Sequence, residues 1–197
     1  MRLVKENVPD QIGRWLMNSR PTLVLAVSKD ALGANITTIA WYSPVVDLPF
    51  TLGFSLHNRS YSKELLVSHG KGSFNILGVA FIDSITGPGF TTGRDRDKAA
   101  LFNIPVERVD DIPIVSSAFA SILFDVVDSV NLGRSTWFTV SPTRTMAHEE
   151  AHRDGILTLS KPEWQPVHHL GEHEYVVMNN VHDWQKHTSY PSPNKRP

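Results

Sequence analysis

The chain carries an H-E-x-x-H match at His148-Glu149-Glu150-Ala151-His152. On a helix, that spacing sets two imidazoles one turn apart on one face, with Glu149 beside them as a general base for a zinc-bound water. Gly155 keeps the three-residue offset of a longer zinc signature. Thr158 stands where its third ligand would fall, which leaves Glu172 or Glu174 for that place. The flanks point elsewhere. Pro142 confines any helix to about 143–154, and residues 140–147 read better as a strand end. The stretch also has little apolar face to bury in a cleft. A zinc hydrolase built on His148 and His152 is one reading; a solvated turn with two surface histidines is the plainer one.

A second set of residues suits anions. Residues 55–62 (SLHNRSYS) form a polar loop feeding a helix start, and residues 93–98 (GRDRDK) place a glycine and charges before another. Helix N-termini offer unpaired N–H groups and a positive dipole end. Arg59, Arg94 and Lys98 add charge, and the hydroxyls of Ser60 and Ser62 complete a phosphate cradle. Residues 35–41, a strand ending in Trp41, would offer a flat ring an apolar neighbour. An ordinary capped helix with a solvated charge run is the alternative.

Composition bounds these chemistries. A length of 197 residues suggests one domain or two small ones. Nineteen Lys+Arg against 20 Asp+Glu give a net charge of −1, which argues against a chain whose main task is gripping nucleic acid or an anionic membrane. The absence of cysteine removes disulfides, Cys-ligated zinc, iron–sulfur clusters and thiol nucleophiles. There is no signal-peptide run at the N-terminus and no apolar stretch of membrane-spanning length, so a cytoplasmic protein is expected.

The elements that must position these groups are mostly strands. Residues 22–28 (TLVLAVS) are a continuous apolar run, 29–34 a turn, and 35–45 a β-branched and aromatic strand. Phe50, Leu52, Phe54 and Leu56 alternate on one face of the next strand, with Gly53 on the other leaving room for a close approach. Residues 62–68 read as a helix capped by Ser62 and closed by Gly70 and Gly72. Residues 73–77 read as a strand, 87–93 as a loop, and 95–102 as a helix capped by Asp95. Residues 120–130 and 135–140 pair across Asn131-Leu132-Gly133, and 175–178 make a last strand. Residues 1–20 are an amphipathic lead-in through Ile12, Trp15 and Leu16. The expected fold is mainly antiparallel β, a barrel with a few short helices. Residues 1–180 form a single domain, and 181–197 a polar tail.

The order of these segments resembles the flavin reductase-like family. It shares an N-x-x-T-x-x-W strand (Asn35-Ile36-Thr37-Thr38-Ile39-Ala40-Trp41) followed by Ser43-Pro44, and a helix start at Tyr61-Ser62-Lys63-Glu64-Leu65. It also shares a strand at Phe74-Asn75-Ile76, the block Thr92-Gly93-Arg94-Asp95-Arg96-Asp97-Lys98, and Leu170-Gly171 with Tyr175. The resemblance runs from about 20 to 178. It implies an FMN-binding split barrel, a homodimer holding FMN non-covalently at its interface, with FAD as the alternative flavin. Asn35, Thr37, Thr38, Ile39, Ala40 and Trp41 would line the ring and ribityl side, partly through backbone. Ser55, Asn58, Arg59 and Ser62 would bind ribityl and phosphate. Arg94, Asp95 and Lys98 would close the site, Lys98 near the phosphate or the ring.

The implied activity is NAD(P)H-dependent reduction of flavin, ferric iron or a partner enzyme. No G-x-G-x-x-G follows a strand, so the nicotinamide would stack on the flavin in one pocket. The chain departs from the family in several places. Gly133-Arg134-Ser135-Thr136 stands where a G-D-H-T pattern is common, so a ring-facing or proton-handling histidine is missing or supplied elsewhere. A cysteine often found near 120 is absent. Segment 141–170 is atypical, a lid or an oligomerisation element, and His168-His169 read as surface residues. No general acid or base is identified. A flavin-binding electron carrier without NAD(P)H turnover is the alternative within the fold.

Overall fold

The computed structural model describes residues 6–7, 20–30, 33–153, 156–158, 161–171 and 174–177. The lead-in other than Glu6–Asn7 and Arg20, the tail 181–197 and Met178 lie outside the described residues.

Eight strands form one antiparallel sheet. They are β1 (Glu6–Asn7), β2 (Leu23–Ser28), β3 (Ala34–Ile39), β4 (Tyr42–Val46), β5 (Thr51–His57), β6 (Lys71–Ile76), β9 (Ala120–Asn131) and β10 (Ser135–Ala147). The order is β3-β2-β6-β9-β10-β5-β4, with β1 pairing β10 off that path, so β3 and β4 are the two ends of the sheet. Helix α1 (Tyr61–His69) joins β5 to β6, and the short α2 (Ile82–Thr86) and α3 (Lys98–Leu101) follow β6. Three small hairpins complete the described chain: β7 (Val106–Val109) with β8 (Ile112–Val115), β11 (His152–Arg153) with β12 (Ile156–Leu157), and β13 (Val167–Gly171) with β14 (Glu174–Val177).

The apolar run of β2 has a physical reason: both its faces are covered. Leu23, Leu25 and Val27 enter the main core, while Val24 and Ala26 enter a second core with Ile36, Ile85 and Val167 beneath the helical segments and the last hairpin. A strand wetted on one face would alternate instead. The main core is aromatic at its centre. Phe54 meets Phe74 edge-on at 5.0 Å and stacks on Phe138 at 5.5 Å, and Phe74 lies 4.6 Å from Phe124. On the opposite face of β5, Gly53 lies under Trp137, where a Cβ would fall 2.1 Å from the indole. The expected close approach at Gly53 is therefore the Trp137 ring.

Several boundaries differ from expectation. The strand expected over 35–45 is two strands, β3 and β4, broken at the exposed Ala40 and Trp41. β10 runs through to Ala147, in keeping with the strand end expected over 140–147, and Pro142 is tolerated there beside a register shift between Pro142 and Arg144. Helix α1 starts one residue earlier than expected. Its N-cap is Ser60, not Ser62, and Gly70 closes it at φ 65. Asp97, not Asp95, caps α3, its carboxylate accepting from the Ala100 N–H. The β7–β8 hairpin has no counterpart in the sequence reading. It turns through Asp110 and Asp111, both left-handed at φ 49 and 62, a conformation short polar side chains tolerate.

Candidate functional site

The N-x-x-T-x-x-W strand is β3, and period two divides its side chains between two faces. Ile36 points into the second core and Ile39 into the main one, so Asn35 and Thr37 share a face with Ile39, while Thr38 shares one with Ile36. The expected ring-lining side chains therefore do not all face one ligand. The backbone does offer a common edge. Ile36 gives its carbonyl to Lys98 Nζ at 2.8 Å, away from the pairing with β2, so alternate backbone groups of this end strand face outward.

Asn35 is buried, and its Nδ2 donates to Ser62 Oγ at 2.7 Å. Ser62 is thus not a cap; it ties the first turn of α1 to β3. Among the described residues Asn35 Oδ1 has no hydrogen-bond partner, and it points at Gly93, where a Cβ would fall 1.8 Å away. The glycine of the Thr92-Gly93-Arg94-Asp95 block leaves the space that Asn35 Oδ1 occupies. Lys98 is also buried, and its Nζ donates to the carbonyls of Ile36 and Pro88, both at 2.8 Å. Burial lowers its pKa to about 8. The amine fastens β3 to the Gly87–Gly89 turn.

Charge gathers at the start of α1. Arg94 bonds Glu64 at 2.5 Å and lies 5.0 Å from the Tyr61 ring centroid, with Lys29 at 6.0 Å. The Arg94 hydrogen bond holds the Glu64 carboxyl below its ordinary pKa. Asp95 is exposed. Ser60 makes no side-chain cap, which leaves first-turn N–H donors to another acceptor. Arg59 is exposed, and its guanidinium meets no acid among the described residues. Asn58 is held from both ends: Nδ2 donates to the Gly133 carbonyl and Oδ1 accepts from Thr136 Oγ1, each at 2.7 Å. The loop before α1 is thereby fixed to the β9–β10 hairpin. The Ser55 N–H donates to the Trp41 carbonyl at 3.1 Å, while the Trp41 side chain is 76% exposed.

A cleft of about 230 Å³ opens at the end of β3. Thr38 and Ala40 form one side, Thr86, Gly89 and Phe90 another, and His169 and Tyr175 a third. The rings of His169 and Tyr175 lie 5.1 Å apart across the β13–β14 pair. Five of these residues were not expected in a site. Leu170-Gly171 and Tyr175 were visible as a motif without a role, and His169 was expected at the surface; it is half-buried and lines the cleft.

The H-E-x-x-H segment is not on an α-helix. Glu149–Ala151 is a 3-10 turn, and His148 and His152 are both extended. The helical zinc geometry is thereby lost. The two-surface-histidine reading also fails. His148 is buried, its ring tilted against Trp164 with centroids 5.8 Å apart, and its Nδ1 accepts from the Glu150 N–H. Both ring nitrogens of His152 are buried. Among the described residues no cluster of three or more His, Asp or Glu could hold a metal, and Glu172 lies outside them. No helix among the described residues is long and apolar enough to cross a membrane.

Residues 16–168 match the family described as flavin reductase like domain. An uncharacterized protein, YddH of Escherichia coli K12, is 32% identical over 103 residues, 51% of this chain and 54% of that protein, so the match spans about half the length of the curated relative. An FMN-binding domain of flavin reductase-like enzymes from Shewanella baltica superposes with TM-score 0.84 at 14% identity, covering 93% of this chain and 98% of that one. Flavoredoxin from Methanosarcina acetivorans gives 0.73 at 18% identity over 83% and 87%. Nitrilotriacetate monooxygenase component B from Bacillus cereus gives 0.74 at 14% over 90% and 95%. The fold is the split barrel of these FMN-binding proteins.

Proposed function

The chain belongs to the flavin reductase-like family, and from that premise we propose that it holds FMN non-covalently and passes electrons from NAD(P)H to free flavin, ferric iron or a partner enzyme. The observation that carries this reading is the cleft at the outward edge of β3, with a helix N-terminus tied to the same strand through Asn35 and Ser62. FMN, when bound, supplies a ring that accepts hydride and releases electrons singly or in pairs. The residues fit that group. The β3 edge offers main-chain donors and acceptors at Thr38, while Ala40 and Phe90 give the cleft an apolar wall. The first turn of α1 and Arg59 suit the phosphate, for which oriented N–H groups and a guanidinium are matched partners. Asn58 and Ser55 hold the connecting loop at a fixed height between the two ends. Asn35, Ser62, Gly93 and Lys98 act behind them, keeping β3, α1 and the Gly87–Gly89 turn in register. Trp41, directly after β3 and 76% exposed, supports a second copy of the chain covering this edge.

A carrier without NAD(P)H turnover is the second reading, favoured by Ser135 standing where the family pattern has histidine. The test is a visible spectrum of the purified protein after FMN addition and desalting, followed by anaerobic NADH and NADPH. Retained flavin bleached by either nucleotide supports the reductase. Retained flavin that stays oxidised supports the carrier, and no retention of FMN overturns both.

A further inference from the structure

The β13–β14 hairpin is anchored and then aimed. Its base is fixed by the Thr22 N–H to the Val167 carbonyl at 2.7 Å, with Val167 buried in the second core. Beyond it, the pairing slips between His169 and Gly171. Such irregularities re-aim a side chain and recur beside active sites. The two adjacent histidines, paired in regular register with Val176 and Tyr175, point to opposite faces of the hairpin by strand alternation. His168 turns inward, its Nε2 buried and its pKa lowered by that burial. His169 lines the cleft with its cross-strand partner Tyr175 tilted against it at 52°. The other walls bring hydroxyls only: Thr38 Oγ1 donates to the Ile85 carbonyl, Thr86 and Tyr175 carry one hydroxyl each, and Ala40, Gly89 and Phe90 bring no polar side-chain atom. An imidazole is the one side chain of this cleft able to be donor at one nitrogen and acceptor at the other.

We propose that His169 hydrogen-bonds the polar edge of a planar heteroaromatic ring seated in this cleft, with Tyr175 holding the imidazole at its angle. This rests on the FMN reading and names the ring-contacting residue that the substituted Gly133-Arg134-Ser135-Thr136 turn does not provide.

Flavin-fluorescence titrations with FMN and with riboflavin, which shares the ring and lacks the phosphate, test it. His169→Ala is expected to raise both dissociation constants about tenfold and to shift the absorbance bands of the bound flavin. His169→Gln should restore most of the affinity. Arg59→Ala should weaken FMN and leave riboflavin within twofold. The thermal midpoint of the flavin-free variants, unchanged, excludes a folding defect. Riboflavin affinity unchanged in His169→Ala overturns the assignment, whether or not FMN weakens. Tight FMN binding by the wild type in that case leaves the FMN reading intact. A wild-type protein that binds neither flavin overturns that reading and this inference together.

Discussion

Asn35 Nδ2 donates to Ser62 Oγ at 2.7 Å, with both side chains buried. The bond joins the strand that borders the cleft to the helix turn that suits a phosphate. Ser62→Ala removes the acceptor and leaves the Asn35 amide unsatisfied, a loss of about 1–3 kcal/mol in stability. FMN affinity should fall severalfold, whereas His152→Ala should leave it within twofold. Fluorescence titration of both variants checks the ranking, and the reverse order would remove the strand–helix tie from the site.

Gly93 has little room for a side chain. A methyl there would fall 1.8 Å from Asn35 Oδ1 and 3.3 Å from the Lys98 side chain. Gly93→Ala is expected to lower stability by about 1–3 kcal/mol through overpacking, read from urea midpoints. The same change in an Asn35→Ala background should cost clearly less, because the clashing atom is gone. Equal costs in the two backgrounds would mean the contact is not the reason.

Lys98 links stability to alkaline pH. Burial lowers its folded pKa to about 8 from an ordinary 10.5. Between those values the unfolded chain binds more protons than the folded one, so raising pH favours folding through this group. The stability of wild type relative to Lys98→Met should therefore rise from about pH 8 to pH 10.5, by up to about 3 kcal/mol. Denaturant titrations of both proteins across that range measure the difference. A flat difference would show that Lys98 keeps its ordinary affinity for the proton.

Phe54 touches Phe74 and Phe138 at the centre of the barrel. Phe54→Ala should destabilise by about 3–5 kcal/mol, a drop visible by calorimetry. A cost under about 1 kcal/mol would mean that the neighbouring rings close the cavity.

Legibility followed how local each determinant is. The β2 run, the Phe50–Leu56 alternation, the Asn131-Leu132-Gly133 turn and the Gly70 stop are written in adjacent residues, and all four are present. The caps failed by two residues. Ser60 and Ser62, like Asp95 and Asp97, are chemically equivalent candidates, and only packing against Asn35 or the α3 backbone chooses between them. The Asp110-Asp111 turn lacks the glycine that marks such hairpins. The cleft beside His169 was not legible because its other walls, Thr38 and Phe90, come from distant parts of the chain. The H-E-x-x-H string misled because spacing carries chemistry only on the element that realises it, and here that element is a turn between extended residues.

The Lys98 bond to Ile36 has a consequence for solubility. A sheet that ends in an exposed strand is a template on which another chain can polymerise. At Ile36 that template is interrupted. The carbonyl a foreign strand would need is already bonded to a buried ammonium held from the other side by Pro88. The edge thus stays open to a small molecule at Thr38 while offering an incoming strand one acceptor fewer at Ile36.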